Sequence, residues 1–186
     1  QMNPGVSERA FILYWVPAGR QMADADGATF SVADYSDEWI GEYYDNQSGA
    51  LNTINSAIDV ATQQIAAGTS KEYTNNLIQV ARIWRAYLIS EMSDCFGPMP
   101  TTAFQGKNPD FNDVKTVYYY ILDELKDATS KLDLSITSVP STVANEDPAY
   151  GFNFSKWQAY GNSLRLRLAM RLSEVDPSKA KSEFEA

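Results

Sequence analysis

The sequence predicts an all-α fold of consecutive stacked helix pairs, and three observations predict it. Four long segments repeat apolar residues at steps of three and four, which gathers them on one face of an α-helix. No segment sustains the strict alternation of a half-buried strand. The strongest stop signals, Gly68, the run Phe96-Gly97-Pro98-Met99-Pro100 and Asp176-Pro177, fall at the ends of these segments.

Taken in order, the first segment runs from about Ser48 to Ala67, with Leu51, Ile54, Ile58, Ala61 and Ile65 in one stripe. Asn52, Asn55, Gln63 and Gln64 fall mostly outside it, and Gly68 is a fitting C′ residue. The second, Thr74 to Ser93, carries Leu77, Ala81, Trp84 and Leu88, widened by Val80, Ile83 and Tyr87. A helix this apolar on two sides packs between neighbours. The third, Asp113 to Leu134, repeats Val114, Val117, Ile121, Leu125, Ala128 and Leu132, with Asn112 as the expected N-cap. The fourth, Ser155 to Val175, carries Trp157, Tyr160, Leu164, Leu168 and Leu172. Its centre, Leu164-Arg165-Leu166-Arg167-Leu168, alternates like a strand, but the helical pattern around it is far longer. Asp176-Pro177 then opens another helix.

The connections are less regular. Ser7 to Trp15 reads as a short helix ended by Pro17, and Met22 to Asp34 as an exposed loop. Trp39 to Tyr44 begins or precedes the first long helix, with Gly41 and Gly49 arguing against continuity. The stretch from Ser135 to Phe152, holding Pro140 and Pro148, is long enough for a functional loop. No strict repeat marks a tetratricopeptide array. The whole, residues 1–186, reads as a single helical domain. Its opening Gln1-Met2-Asn3-Pro4-Gly5 and its last helix, barely begun at Ala186, suit a portion of a longer product.

Bulk properties narrow the function. The net charge of −9 opposes nucleic-acid binding and attachment to anionic lipid, both of which need a basic surface. No stretch reaches the roughly 20 apolar residues of a membrane-spanning helix. The chain has no histidine and one cysteine, Cys95. That removes Ser–His and Cys–His nucleophile pairs, imidazole metal ligands and an internal disulfide. Eleven Tyr, eight Phe and four Trp give an unusually aromatic chain, suited to a core or to a surface that presents an apolar face with a polar tip.

Three helices carry a resemblance. The stretch Ala81-Arg82-Ile83-Trp84-Arg85-Ala86-Tyr87, leading to Phe96-Gly97-Pro98-Met99-Pro100, resembles the Arg-Ala-aromatic helix and Tyr/Phe-Gly-Asp-Val-Pro turn of SusD/RagB-type nutrient-binding proteins. Val117-Tyr118 with Ile121-Leu122-Asp123-Glu124-Leu125 and Ala128 is similar to the family's next helix. The most specific match is Asn162-Ser163-Leu164-Arg165-Leu166-Arg167, followed by Arg171 and the Asp176-Pro177 exit. Together these stretches cover roughly residues 77 to 180. Pro98 replaces the usual acidic residue of the turn, and Gly161 stands where Ala is common.

The resemblance implies a tetratricopeptide-like helical scaffold in a lipoprotein on the extracellular face of a bacterial outer membrane. Its partners would be a SusC-like TonB-dependent transporter, which it caps, and a glycan or peptide ligand. Its only tie to the membrane would be an N-terminal lipid anchor that this chain does not include. Ligand would be held by stacking and hydrogen bonds, with no bond broken, no cofactor and no metal. A helical-repeat scaffold binding only proteins is the alternative.

Among site candidates, Trp39, Tyr43 and Tyr44 are the expected exposed aromatic surface for ligand. Tyr118, Tyr119 and Tyr120 are expected to pack against neighbouring elements. Arg82, Arg85, Arg165, Arg167 and Arg171 are expected in structural ion pairs, with Arg167, Arg171 and Glu174 sharing a face. Asp24-Ala25-Asp26-Gly27 imitates half a calcium loop, but the twelfth position is Tyr35 rather than Glu, so a solvated loop is expected. Asp123, Glu124 and Asp127 are read as a solvated face, with Lys131 pairing Asp127 one turn on. Cys95 is expected to be a small buried hydrophobe.

Overall fold

The computed structural model describes residues 37–101 and 110–185, with side chains from residue 40 onward. The short helix expected at 7–15 and the calcium-like run at Asp24 lie outside the described residues. Six helices occupy the rest: α1 (Asp37–Ala66), α2 (Thr74–Phe96), α3 (Val114–Ser130), α4 (Ser141–Ala144), α5 (Phe154–Met170) and α6 (Pro177–Glu185). The extended backbone that pairs is confined, among these residues, to one antiparallel bridge between Met99 and Asn112. The predicted all-α class is what the chain adopts.

Backbone contacts divide the chain into two units, residues 1–52 and 53–186, and α1 runs across the boundary. In the first unit the described residues form the leading half of α1, where Gln47, Ala50 and Leu51 are buried. Here α1 begins eleven residues before Ser48, so Gly41 and Gly49 sit inside it. Neither glycine has anything near the position of a Cβ, so a side chain would fit at either. In the second unit the trailing half of α1 keeps Val60 and Ile65 exposed.

The core of the second unit lies between α2, α3 and α5. Asn76, near the start of α2, donates to the Asp133 carbonyl past the end of α3, while Asp94 at the other end of α2 accepts from Tyr118 near the start of α3. The two helices therefore run antiparallel. Gln158, early in α5, donates to the Thr129 carbonyl, and Arg171 beyond its end reaches Tyr118, so α5 is antiparallel to α3 as well. Val117, Ile121, Leu125, Ala128 and Leu132 are all buried, as their period predicts.

On α2 the predicted stripe is displaced. Val80, Ile83 and Leu88 are buried, whereas Trp84 is 36% exposed. A helix apolar on two sides presents two possible faces, and periodicity does not choose between them. Gly161 marks the tightest approach of α5 to this core: a Cβ there would lie 2.5 Å from Thr129 Cγ2 and 3.2 Å from Ile83 Cδ1. Thr129 is itself held by its hydroxyl's bond to the Leu125 carbonyl at 2.8 Å. A side chain at Gly161 would therefore have to displace Thr129 or Ile83.

The helix ends correct several other expectations. Asp113, not Asn112, caps α3, its carboxylate accepting from Thr116 N–H at 2.7 Å. Asn112 instead holds Thr101 through its side-chain oxygen. The regular helix of α5 ends at Met170, five residues early, and a run of turns carries the chain to Asp176. Asp176 accepts from Lys179 N–H at 3.1 Å and so opens α6, as predicted. Cys95 is exposed rather than buried, because it lies on the outer side of the last turn of α2.

Candidate functional site

Arginines stitch the helices together. Arg82 donates to Glu124 and Asp127, and Arg85 donates to Glu124 and to Asn55, all between 2.6 and 3.1 Å. Burial alone would raise the Glu124 carboxyl, but the two guanidinium groups overcome it and hold it below the usual range. Glu124 is thus a half-buried partner, not part of a solvated face. Asp127 does pair Lys131 at 2.8 Å, as expected. Arg165 is buried against Glu183 at 2.6 Å. Arg171 turns to Asp94 rather than toward Glu174.

Two aromatic regions stand out. The first lines a cavity of about 430 Å³ where the end of α2, the start of α3 and the segment after α5 meet. Its walls include Asp94, Lys115, Tyr118, Tyr119, Arg171 and Asp176. Nearly every polar group there already has a partner. The Tyr118 hydroxyl donates to Asp94, which also takes Arg171, and the Tyr119 hydroxyl donates to Asp176. Lys115 and Lys179 lie over the Tyr119 ring, 5.3 and 5.0 Å from its centre. The tyrosine run is packed, as the sequence predicted.

The second region is an arc on α2, α5 and the loop between α4 and α5. Trp84 and Tyr87 stack at 4.9 Å between ring centres. Trp157 and Tyr160 meet edge to face at 5.5 Å, and Tyr150 sits 5.3 Å from Trp157 and 6.3 Å from Tyr160. Helices α2 and α5, which carry the two halves, pack against each other at Gly161 and Ile83, and the Tyr160 hydroxyl is pushed up to about 12, by burial first and then by the Tyr87 hydroxyl. Asp147 builds the loop that carries Tyr150. Its carboxylate accepts from the backbone N–H groups of Ala149, Tyr150 and Phe152 and from the Trp157 indole at 2.7 Å. Burial would raise that carboxyl, and these donors hold it below its ordinary value instead.

The arc differs from the cavity in its polar atoms. The Trp84 indole N–H, the hydroxyls of Tyr87, Tyr150 and Tyr160, the Glu91 carboxylate and the Arg167 guanidinium make no hydrogen bond or ion pair among the described residues. Tyr87, Tyr160 and Glu91 are half-buried. Arg167 and Glu91 nonetheless feel each other's charge. The sequence held a sign of the arc: Trp84-x-x-Tyr87 on α2 and Trp157-x-x-Tyr160 on α5 share one spacing. Periodicity alone places both pairs in core stripes.

Of the predicted ligand residues, Tyr43 and Tyr44 are half-buried on the leading half of α1, and the Trp39 side chain lies outside the described residues. No group of three or more potential metal ligands occurs among the described residues. No helix among them is long and apolar enough to cross a membrane.

The described residues form a paired helical scaffold that keeps unpartnered aromatic and polar groups on one surface. The chain belongs to the SusD-like family: the model described as "starch-binding associating with outer membrane" matches residues 9–186. Members of this family bind and do not catalyse. No curated protein sequence matches the chain significantly. Among solved structures it is similar to a Bacteroidetes SusD-like protein, with 29% identity and a TM-score of 0.72 over 96% of this chain and 32% of that one. It is also similar to a chitin-binding SusD homologue from Flavobacterium johnsoniae, with 26% identity and a TM-score of 0.67 over 86% and 32%. A second chitin-binding protein, 23% identical with a TM-score of 0.78 over 96% and 37%, shares the fold. The chain spans about a third of the length of these proteins.

Proposed function

We propose that this chain is the N-terminal helical portion of a lipid-anchored protein on the outer face of a bacterial outer membrane, which captures a glycan and caps a SusC-like TonB-dependent transporter. The observation that carries the reading is the family match across residues 9–186, with its description as starch-binding and outer-membrane-associated. The likeness to a chitin-binding homologue supports a glycan as the ligand class. Capture needs only stacking and hydrogen bonds, which suits a chain without histidine. The helices would dock on the barrel, and opening of the lid would release ligand into it. Trp39, Tyr43 and Tyr44 would add an aromatic contact to the ligand.

The test is affinity purification of the tagged full-length gene product from solubilised outer membranes. A TonB-dependent barrel recovered in near-stoichiometric amount is the expected result. A protein found in the cytosol, with no barrel, overturns the proposal and leaves a scaffold for other proteins.

A further inference from the structure

We infer that the arc of Trp84, Tyr87, Tyr150 and Tyr160, with Glu91 and Arg167 at its edge, is a binding surface for an uncharged oligosaccharide. The inference rests on the glycan-capture reading and assigns it a place.

A sugar ring has one apolar face of C–H groups and an equator of hydroxyls. A surface that holds it needs an exposed aromatic face for the first and unengaged donors and acceptors for the second. The arc supplies both. Trp84 and Tyr150 are each 36% exposed, although large aromatic side chains on a two-sided apolar helix and its facing loop had a core to enter. Trp157, 5% exposed, lies behind Tyr150 and Tyr160 and fixes their spacing.

The polar groups make the stronger argument. The other arginines among the described residues find partners: Arg82, Arg85, Arg165 and Arg171 all hold carboxylates. Around the arc, three tyrosine hydroxyls, an indole N–H, a carboxylate and a guanidinium make no bond among the described residues. That mixture both donates and accepts, as hydroxyl recognition requires, since a hydroxyl does both. The two charges have opposite sign and sit within each other's field, so the surface favours neither an anionic nor a cationic ligand. A neutral polyhydroxylated chain fits it. The cavity beside Tyr118 has a volume of about 430 Å³, but its donors and acceptors are spent on one another.

The experiment uses the full-length protein, with maltohexaose and chitohexaose as probes and calorimetric titration as the readout. Trp84→Ala should weaken binding about tenfold or more, and Trp84→Phe, which keeps a ring, should recover most of it. Glu91→Gln should weaken binding about fivefold by removing a charge-assisted acceptor. The control Phe184→Ser, on an exposed side chain of α6, should bind as the parent does, and thermal melts confirm that each variant is folded. If the parent binds and folded Trp84→Ala and Glu91→Gln bind equally well, the arc is not the site, while glycan capture stands. If the parent binds neither these probes nor any other oligosaccharide, the capture reading falls and the arc with it.

Discussion

The cavity beside Tyr118 and the arc around Trp84 use similar residues to opposite ends. The cavity joins two tyrosines of α3, and the arc three from two helices and a loop, with carboxylate and arginine side chains. In the cavity Tyr118, Asp94 and Arg171 close on one another, and Asp176 takes the Tyr119 hydroxyl. In the arc Tyr87, Tyr160, Glu91 and Arg167 stay apart. The lesson is that residue type and proximity do not mark a binding surface. Engagement does. A donor already bonded within the protein gains little from a ligand, because the net value of a hydrogen bond is small once another is given up.

The largest expected effect comes from removing what positions the arc. Asp147 is buried and accepts four hydrogen bonds, one from the Trp157 indole and three from backbone N–H groups of the loop that presents Tyr150. Asp147→Ala leaves those donors without a partner, at about 1–3 kcal/mol for the worst of them. Chemical denaturation should show a loss of about 3 kcal/mol, and glycan affinity should fall because Tyr150 loses its place. Unchanged stability would mean that water replaces the carboxylate easily, and the loop would then be no part of the arc's frame. The same substitution should act in one direction with pH. The fold depresses the Asp147 carboxyl, so its contribution is present above the unfolded-state value and is lost as pH falls through the lower folded-state value.

A smaller effect separates the two regions directly. Tyr118→Phe deletes a hydroxyl that bonds Asp94 and lies 3.1 Å from Arg171. It should lower stability by about 1 kcal/mol and leave glycan affinity alone. Tyr87→Phe deletes a hydroxyl with no protein partner and should do the reverse, changing stability by less than about 0.5 kcal/mol while weakening binding. Equal behaviour of the pair in melts and titrations would erase the distinction drawn between cavity and arc.

How much of this was legible in the sequence follows from what each feature depends on. The α3 stripe from Val117 to Leu132 was plain, since a helix with one apolar face has one way to bury it. The Asp176-Pro177 entry to α6 was equally local. The buried face of α2 was not legible, because Leu77, Ala81 and Trp84 compete with Val80, Ile83 and Ala86, and only the positions of α3 and α5 decide. The arc joins residues 84 to 160 across two helices and a loop, so no window of sequence contains it. The partners of Arg82 and Arg85 were foreseeable as carboxylates but not as Glu124 in particular, and the burial that makes Glu124 structural is a property of the packed pair. Cys95 went wrong for the same reason: its neighbours Met92 and Ser93 turn inward, and it does not.

The smallest expected effect is the most diagnostic. Burial first, and then the nearby Asp94 charge, raise the Glu91 carboxyl above its ordinary value, against the pull of Arg167 and Arg171. A raised folded-state value means that the fold prefers the protonated form. Glu91's favourable contribution is therefore full below the unfolded-state value and is lost as pH rises through the folded-state one. At neutral pH the ionised side chain strains the fold slightly, and Glu91→Gln should raise Tm by about 1–2 °C. That gain should shrink toward zero as pH falls below the carboxylate range. A residue kept for structure would not be improved by its own neutral isostere, whereas a residue kept for ligand is free to cost stability. Glu91→Gln that gains stability and loses glycan affinity would place Glu91 in the second class. Loss of both together would return it to the framework, beside Glu124.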